Sequence, residues 1–146
     1  MKTIIVLAFA LLTFLFIRAS SEGKEPRDKE ELGRMLFFDP ILSATKTVSC
    51  ASCHKPEFAF ADNSAVSTGV NGRKGTRNTP SAMNTKSHPA FFWDGRSATL
   101  EEQALAPIEN PSEMNLPLDI AVGRLQNNRN YNYYFKKIYN YLFSDM

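Results

Sequence analysis

Cysteine is nearly absent from this sequence: two residues, Cys50 and Cys53, in a chain of 146. So few thiols exclude a disulfide framework, and a bond between these two would close a loop too small to constrain much. Histidine is as sparse, with His54 and His88 only. Charge of one sign is missing too, since 17 lysines and arginines face 15 aspartates and glutamates. Without a basic excess there is no electrostatic footprint for nucleic acid, whose binding rests mainly on phosphate neutralisation and counterion release. No nucleic-acid partner is expected. Internal repeats and low-complexity tracts are absent, and 43% hydrophobic with 22% charged residues excludes a long coiled coil or a disordered tail. The length suits one domain rather than two.

What apolar sequence there is clusters at the start. Ile4 to Ile17 is interrupted only by Thr13, behind a single Lys2 and ahead of Arg18-Ala19-Ser20-Ser21. The run is too short to span a bilayer comfortably and has the basic start, apolar middle and small-residue end of a secretory signal peptide. Residues 1–21 are therefore expected to direct export and to be cleaved after Ala19 or Ser21; an uncleaved anchor is the alternative. No Cys follows the run, which excludes lipid attachment at a new N-terminal Cys. Lys2 and Arg18 leave with it, so residues 22–146 carry 15 basic and 15 acidic side chains. About 125 residues suffice for a single core, yet are few enough that a cofactor or partner could supply much of the stability.

Along that domain, Leu32, Met35 and Leu36 recur at helical spacing and predict a helix from Pro26 to Leu36, ended by Asp39-Pro40. From Thr45 to Arg96 no helical or alternating pattern persists, and Gly69, Gly72, Gly75, Pro80, Pro89 and Gly95 punctuate the stretch as turns. Such a length without regular structure calls for an organising element other than backbone periodicity. Thr99 and Glu102 then form a capping box, opening a short helix expected to stop at Pro107. After a turn at Asn110-Pro111-Ser112, a third helix begins near Pro117 with Leu118, Ala121, Val122 and Leu125 on one face. A fourth follows Asn130, its Tyr131, Tyr134, Phe135, Ile138, Leu142 and Phe143 reading as core rather than as a cofactor box. The sequence stops directly after it, at Asp145-Met146, as a fragment would.

The chemistry sits in the irregular middle. Cys50-Ala51-Ser52-Cys53-His54 is CxxCH, the attachment signature of a c-type haem. Two thiols on one helical turn can each add to a haem vinyl group, and the adjacent His lies where its imidazole binds iron. A zinc site drawing on Cys50, Cys53, His54 and His88 would leave the usual paired spacing incomplete. A redox dithiol would need a strand-to-helix context, which is missing. Haem would also give the irregular stretch its organising element.

Around this motif stand Leu32-Gly33-Arg34-Met35-Leu36-Phe37-Phe38-Asp39-Pro40, Arg77-Asn78-Thr79-Pro80, Phe92-Trp93-Asp94-Gly95-Arg96, Glu101-Glu102-Gln103-Ala104 and Asn110-Pro111-Ser112-Glu113-Met114. In these blocks the sequence resembles the N-terminal, peroxidatic half of bacterial di-haem cytochrome c peroxidases and their methylamine-utilisation relatives. The resemblance implies an all-α, loop-rich c-type cytochrome domain in the periplasm, with one covalent haem c. It makes His54 the proximal iron ligand, Glu113 the distal acid/base carboxylate and Gln103 its polar neighbour. It makes Trp93 the residue between two haems and Asn78 a ligand of calcium. Hydrogen peroxide would be the substrate, reduced to water with electrons from a small donor protein, a cytochrome c or a cupredoxin.

Physical reasoning supports the distal roles. Cleaving the O–O bond needs a proton moved between the two peroxide oxygens, which suits a carboxylate over the open face. Gln103 has a donor and an acceptor and could orient peroxide without adding charge. Read without the resemblance, Glu113 is an exposed acid in a turn, Trp93 a buried aromatic anchor and Asn78 a turn residue whose single amide oxygen cannot hold calcium. Arg73, Arg77 and Arg96 are either partners of the haem propionates or solvated surface charges.

Two departures from the family pattern matter. Many relatives carry a second axial His in the Ser67-Thr68-Gly69-Val70 block, where this chain has Val70; a five-coordinate haem is expected unless His88 reaches the iron. With only two cysteines, one haem is the maximum, so the second haem domain that relays electrons is absent from this sequence. The alternatives to a peroxidase are therefore a mono-haem electron-transfer protein and an inactive half of a di-haem enzyme.

Overall fold

The computed structural model describes residues 25–140; the expected targeting segment, Leu142 and Phe143 lie outside them. Among the described residues five α-helices follow one another: α1 (Lys29–Phe38), α2 (Cys50–Cys53), α3 (Leu100–Glu109), α4 (Leu118–Asn127) and α5 (Arg129–Tyr139). Among the described residues there is no strand, and no helix is long and apolar enough to cross a membrane. The architecture is the all-α, loop-rich one expected.

Local chemistry sets the helix ends. Asp28 caps α1 by accepting from the Glu31 N–H (2.8 Å), and Glu30 and Glu31 place negative charge on its first turn. The helix thus starts at Lys29 and not at Pro26, which is buried ahead of it. Asp39 ends it in an extended conformation, its carboxylate accepting from the Ile41 N–H (2.8 Å) and from the Tyr131 hydroxyl (2.7 Å). Thr99 caps α3 by accepting from the Glu102 N–H (3.2 Å), while the Glu102 carboxylate reaches one residue further back, to the Ala98 N–H (2.9 Å).

Pro107 does not stop α3, which continues to Glu109. Proline removes one donor, but the carbonyls of the last turn find others. Ala106 accepts from Asn110 (3.0 Å), Pro107 from Met114 (3.2 Å) and Ile108 from Leu116 (2.7 Å). Asn128 caps α5 two residues earlier than the spacing suggests, accepting from Asn130 (3.0 Å) and Tyr131 (3.1 Å).

The core lies between α1, α4 and α5, where Leu32, Leu42, Ala121, Leu125, Tyr131 and Tyr134 are buried. Val48, Val70, Met114 and Leu116 complete it from the irregular segments. Val122, expected on the inner face of α4, is exposed. The long middle is ordered by three isolated antiparallel bridges, Lys55 with Ala61, Thr68 with Lys74 and Phe91 with Ser97, each closing one loop.

Arg124 ties α4 to the segment leading into α2. Its Nη1 donates to the Ile41 and Ser43 carbonyls (3.0 and 2.6 Å) and its Nη2 to that of Ala44 (3.2 Å). Hydrogen bonds from a charged donor contribute more than neutral ones, so Arg124→Met is expected to destabilise the fold by about 2–4 kcal/mol. Urea unfolding would show it as a lower midpoint at unchanged slope.

Candidate active site

The turn of α2 presents both thiols. The His54 N–H closes it on the Cys50 carbonyl (2.9 Å), and Ser52 Oγ accepts from the Ser49 N–H (3.0 Å). Cys50 and Cys53 are free and half-buried. Burial pushes both thiols up from their ordinary value, Ser67 offsetting part of this at Cys53 through a hydrogen bond, so they stand as neutral thiols.

His54 is oriented by its own loop. Nδ1 lies 2.9 Å from the Phe60 carbonyl oxygen, a contact that fixes Nδ1 as the protonated nitrogen and leaves Nε2 as the ligand atom. Phe37 flanks the imidazole, with ring centroids 6.4 Å apart, and also packs against Phe60 at 6.0 Å. Ala59 and Phe60 adopt left-handed conformations at φ 55° and 57°, each costing roughly 1–2 kcal/mol in a residue with a Cβ. Such strain persists where the surroundings over-determine it. Beneath the loop, the nearly buried Asp62 carboxylate accepts from Lys55 Nζ (2.8 Å), from the Ser67 hydroxyl and from the Ser64 N–H (3.2 Å). Lys55 and Ser67 hold its carboxyl well below the usual range.

Glu113, from far along the sequence, is near enough for its charge to act on this cluster. Asn110 builds its turn: Asn110 Oδ1 accepts from the Ser112 N–H (2.9 Å), its carbonyl from the Glu113 N–H (2.9 Å), and its Nδ2 donates to Glu113 Oε1 (2.7 Å). Burial raises the Glu113 carboxyl above its ordinary 4.5, while Asn110 and the charges of His54 and Arg96 pull the other way. Its charge acts on both thiols as well. The Val70 N–H donates to the Glu113 carbonyl (2.8 Å), and a Cβ at Gly69 would lie 2.2 Å from the Ser112 carbonyl oxygen and 2.5 Å from that of Glu113. Only glycine admits that approach. Val70 is fully buried in the core.

The other expected residues are placed less tightly. Gln103 is half-buried on α3, and no hydrogen bond links it to Glu113. Trp93 is not a buried anchor: it is 70% exposed, with the Arg77 guanidinium 3.8 Å above its ring. Arg96 lies over Phe92 at 3.4 Å and beside Asp94, and Arg73 donates to the Pro111 carbonyl (3.1 Å). Asn78 donates to the Ser64 carbonyl (2.9 Å). His88 is exposed and stacked on Phe91. Among the described residues no group of three or more His, Cys, Asp and Glu side chains converges on a metal-sized site.

Three features escape the sequence reading: the Phe60 carbonyl, Gly69 and the side chain of Asn110. Of these only Asn110 leaves a trace, because Asn-Pro-Ser marks an Asx-type turn. Two free thiols on one turn, an imidazole held at Nδ1 and a half-buried carboxyl within reach of their charges make a donor set that fits a covalently attached haem.

Comparison with known proteins agrees. The family model of di-haem cytochrome c peroxidases matches residues 27–146. A cytochrome c551 peroxidase of Nitrosomonas europaea is 42% identical over 79% of this chain and 34% of its own length. A methylamine utilization protein MauG of Methylorubrum extorquens is 43% identical over 68% and 28%. The crystal structure of a MauG-like protein associated with microbial copper homeostasis superposes with a TM-score of 0.71 at 35% identity, covering 80% of this chain and 35% of that one. The chain spans about a third of the length of these relatives.

Proposed function

Because the chain belongs to the di-haem cytochrome c peroxidase family, we propose that it carries one haem c on Cys50, Cys53 and His54 and reduces hydrogen peroxide to water in the periplasm. The observation that carries this reading is the single turn on which Cys50, Cys53 and His54 stand together, with His54 Nδ1 held 2.9 Å from the Phe60 carbonyl oxygen; Glu113, a half-buried carboxyl raised by burial, adds to it. Bound haem supplies the iron and the electron transfer that peroxide cleavage requires. The two electrons come from a small donor protein, a cytochrome c or a cupredoxin, and two protons complete the conversion to two waters.

The chain's own residues bind, orient and move protons. With Nδ1 committed to the Phe60 carbonyl, His54 would hold the haem iron through Nε2. Asn110 occupies Glu113 Oε1, so Oε2 is the oxygen that takes a proton from one peroxide oxygen and returns it to the other. Gln103 orients peroxide from α3 without adding charge. Exposed Trp93, capped by Arg77, is the contact for a second haem domain or chain.

The test is to produce the chain in cells competent for cytochrome maturation. A haem-stained product that consumes peroxide with reduced cytochrome c is expected. Colourless protein with both thiols titratable overturns the reading, and a coloured protein without turnover makes it a mono-haem electron carrier or an inactive half.

A further inference from the structure

The loop that orients His54 is itself held from outside. Residues 78–82 run as a strap beside residues 59–67 and are tied to them at successive points. Asn78 Nδ2 donates to the Ser64 carbonyl (2.9 Å), and the Thr79 and Ser67 hydroxyls meet at 2.6 Å. Ser81 Oγ donates to the Ala59 carbonyl (2.5 Å) and accepts from the Met83 N–H (3.1 Å). The Ala82 N–H donates to the Phe60 carbonyl (3.2 Å).

The last two ties grip the two consecutive left-handed residues. The Phe60 carbonyl therefore receives two donors, His54 Nδ1 and the Ala82 N–H, and its direction is set jointly by the loop and the strap. An acceptor on the far nitrogen of a ligating imidazole fixes the ring and raises its basicity.

We propose that Ser81 is a positioning residue for the axial imidazole, its hydroxyl holding the strap on Ala59–Phe60 so that the Phe60 carbonyl stays aimed at His54 Nδ1. The inference rests on the haem reading above. Ser81 is exposed, so its replacement leaves the core intact. Without the hydroxyl the Ala59–Phe60 pair relaxes, the Nδ1 bond weakens, and the imidazole donates less charge to ferric iron.

The experiment compares the haem-loaded full chain with Ser81→Ala and Ser81→Thr. In Ser81→Ala the ferric-to-ferrous equilibrium should move about tenfold toward ferrous, about 59 mV for a one-electron couple, and the Ala82 amide should lose its hydrogen-exchange protection. Ser81→Thr keeps the hydroxyl and should restore both. Loss of haem attachment in Ser81→Ala that Ser81→Thr recovers also supports the role. An unchanged potential and unchanged Ala82 protection in Ser81→Ala overturns it, as does a threonine variant that behaves like alanine. A colourless parent chain would instead defeat the haem reading itself.

Discussion

Glu113→Gln is expected to lower peroxide turnover by the haem-loaded chain about 10²–10⁴-fold, the range for loss of a positioned general acid/base. The amide keeps the size of the carboxyl and can still meet Asn110, but it cannot carry a proton between two oxygens. Haem content and visible spectrum should stay as in the parent. Stability gives an independent readout. The folded state holds the Glu113 proton more tightly than the unfolded chain does, because burial raises the carboxyl above 4.5. Its contribution is complete below that value and declines as pH rises through the folded pKa. Glu113→Gln lacks this decline, so its thermal midpoint relative to the parent should rise from pH 4 toward neutrality. Equal turnover in the two proteins would leave the electron-carrier reading in place.

Gly69→Ala should damage both fold and turnover. Its backbone, at φ −89° and ψ −162°, is one that alanine adopts readily, so the penalty is not conformational. It comes from the Cβ, which would sit 2.2 Å from the Ser112 carbonyl oxygen and 2.7 Å from Glu113 Cα. Both are main-chain atoms, so no side-chain rotation relieves the clash and the two segments must separate. Overpacking of this kind costs about 1–3 kcal/mol, with the upper end expected here. Separation also moves the Glu113 turn away from His54. Thermal unfolding and peroxide turnover should therefore fall together, whereas Glu113→Gln lowers turnover without lowering the thermal midpoint at neutral pH. A Gly69→Ala protein with parental stability would mean that the Ser112–Glu113 approach is looser than described.

The part of the site that is contiguous in the chain was legible as sequence. Cys50, Cys53 and His54 share one turn, and thiol spacing on a helical turn follows from backbone geometry alone. Capping residues marked Thr99, and periodic apolar residues marked α1, α4 and α5, because those signals lie within a few residues of the structure they specify. Pro107 shows where such signals fail. A local rule ends the helix there, but carbonyl partners at Asn110, Met114 and Leu116 carry it two residues further.

By itself, then, the sequence determined the CxxCH turn, the helical class and the family. Tertiary structure alone decided that Glu113 lies near enough for the charge of His54 to act on it, that the Phe60 carbonyl aims at Nδ1 and that Trp93 stands in solvent. Those placements depend on irregular segments meeting across the fold, through single backbone bonds such as Val70 to Glu113 and a close approach only Gly69 permits. Contacts of that kind carry no period and no fixed spacing, so nothing along the chain announces them before it folds.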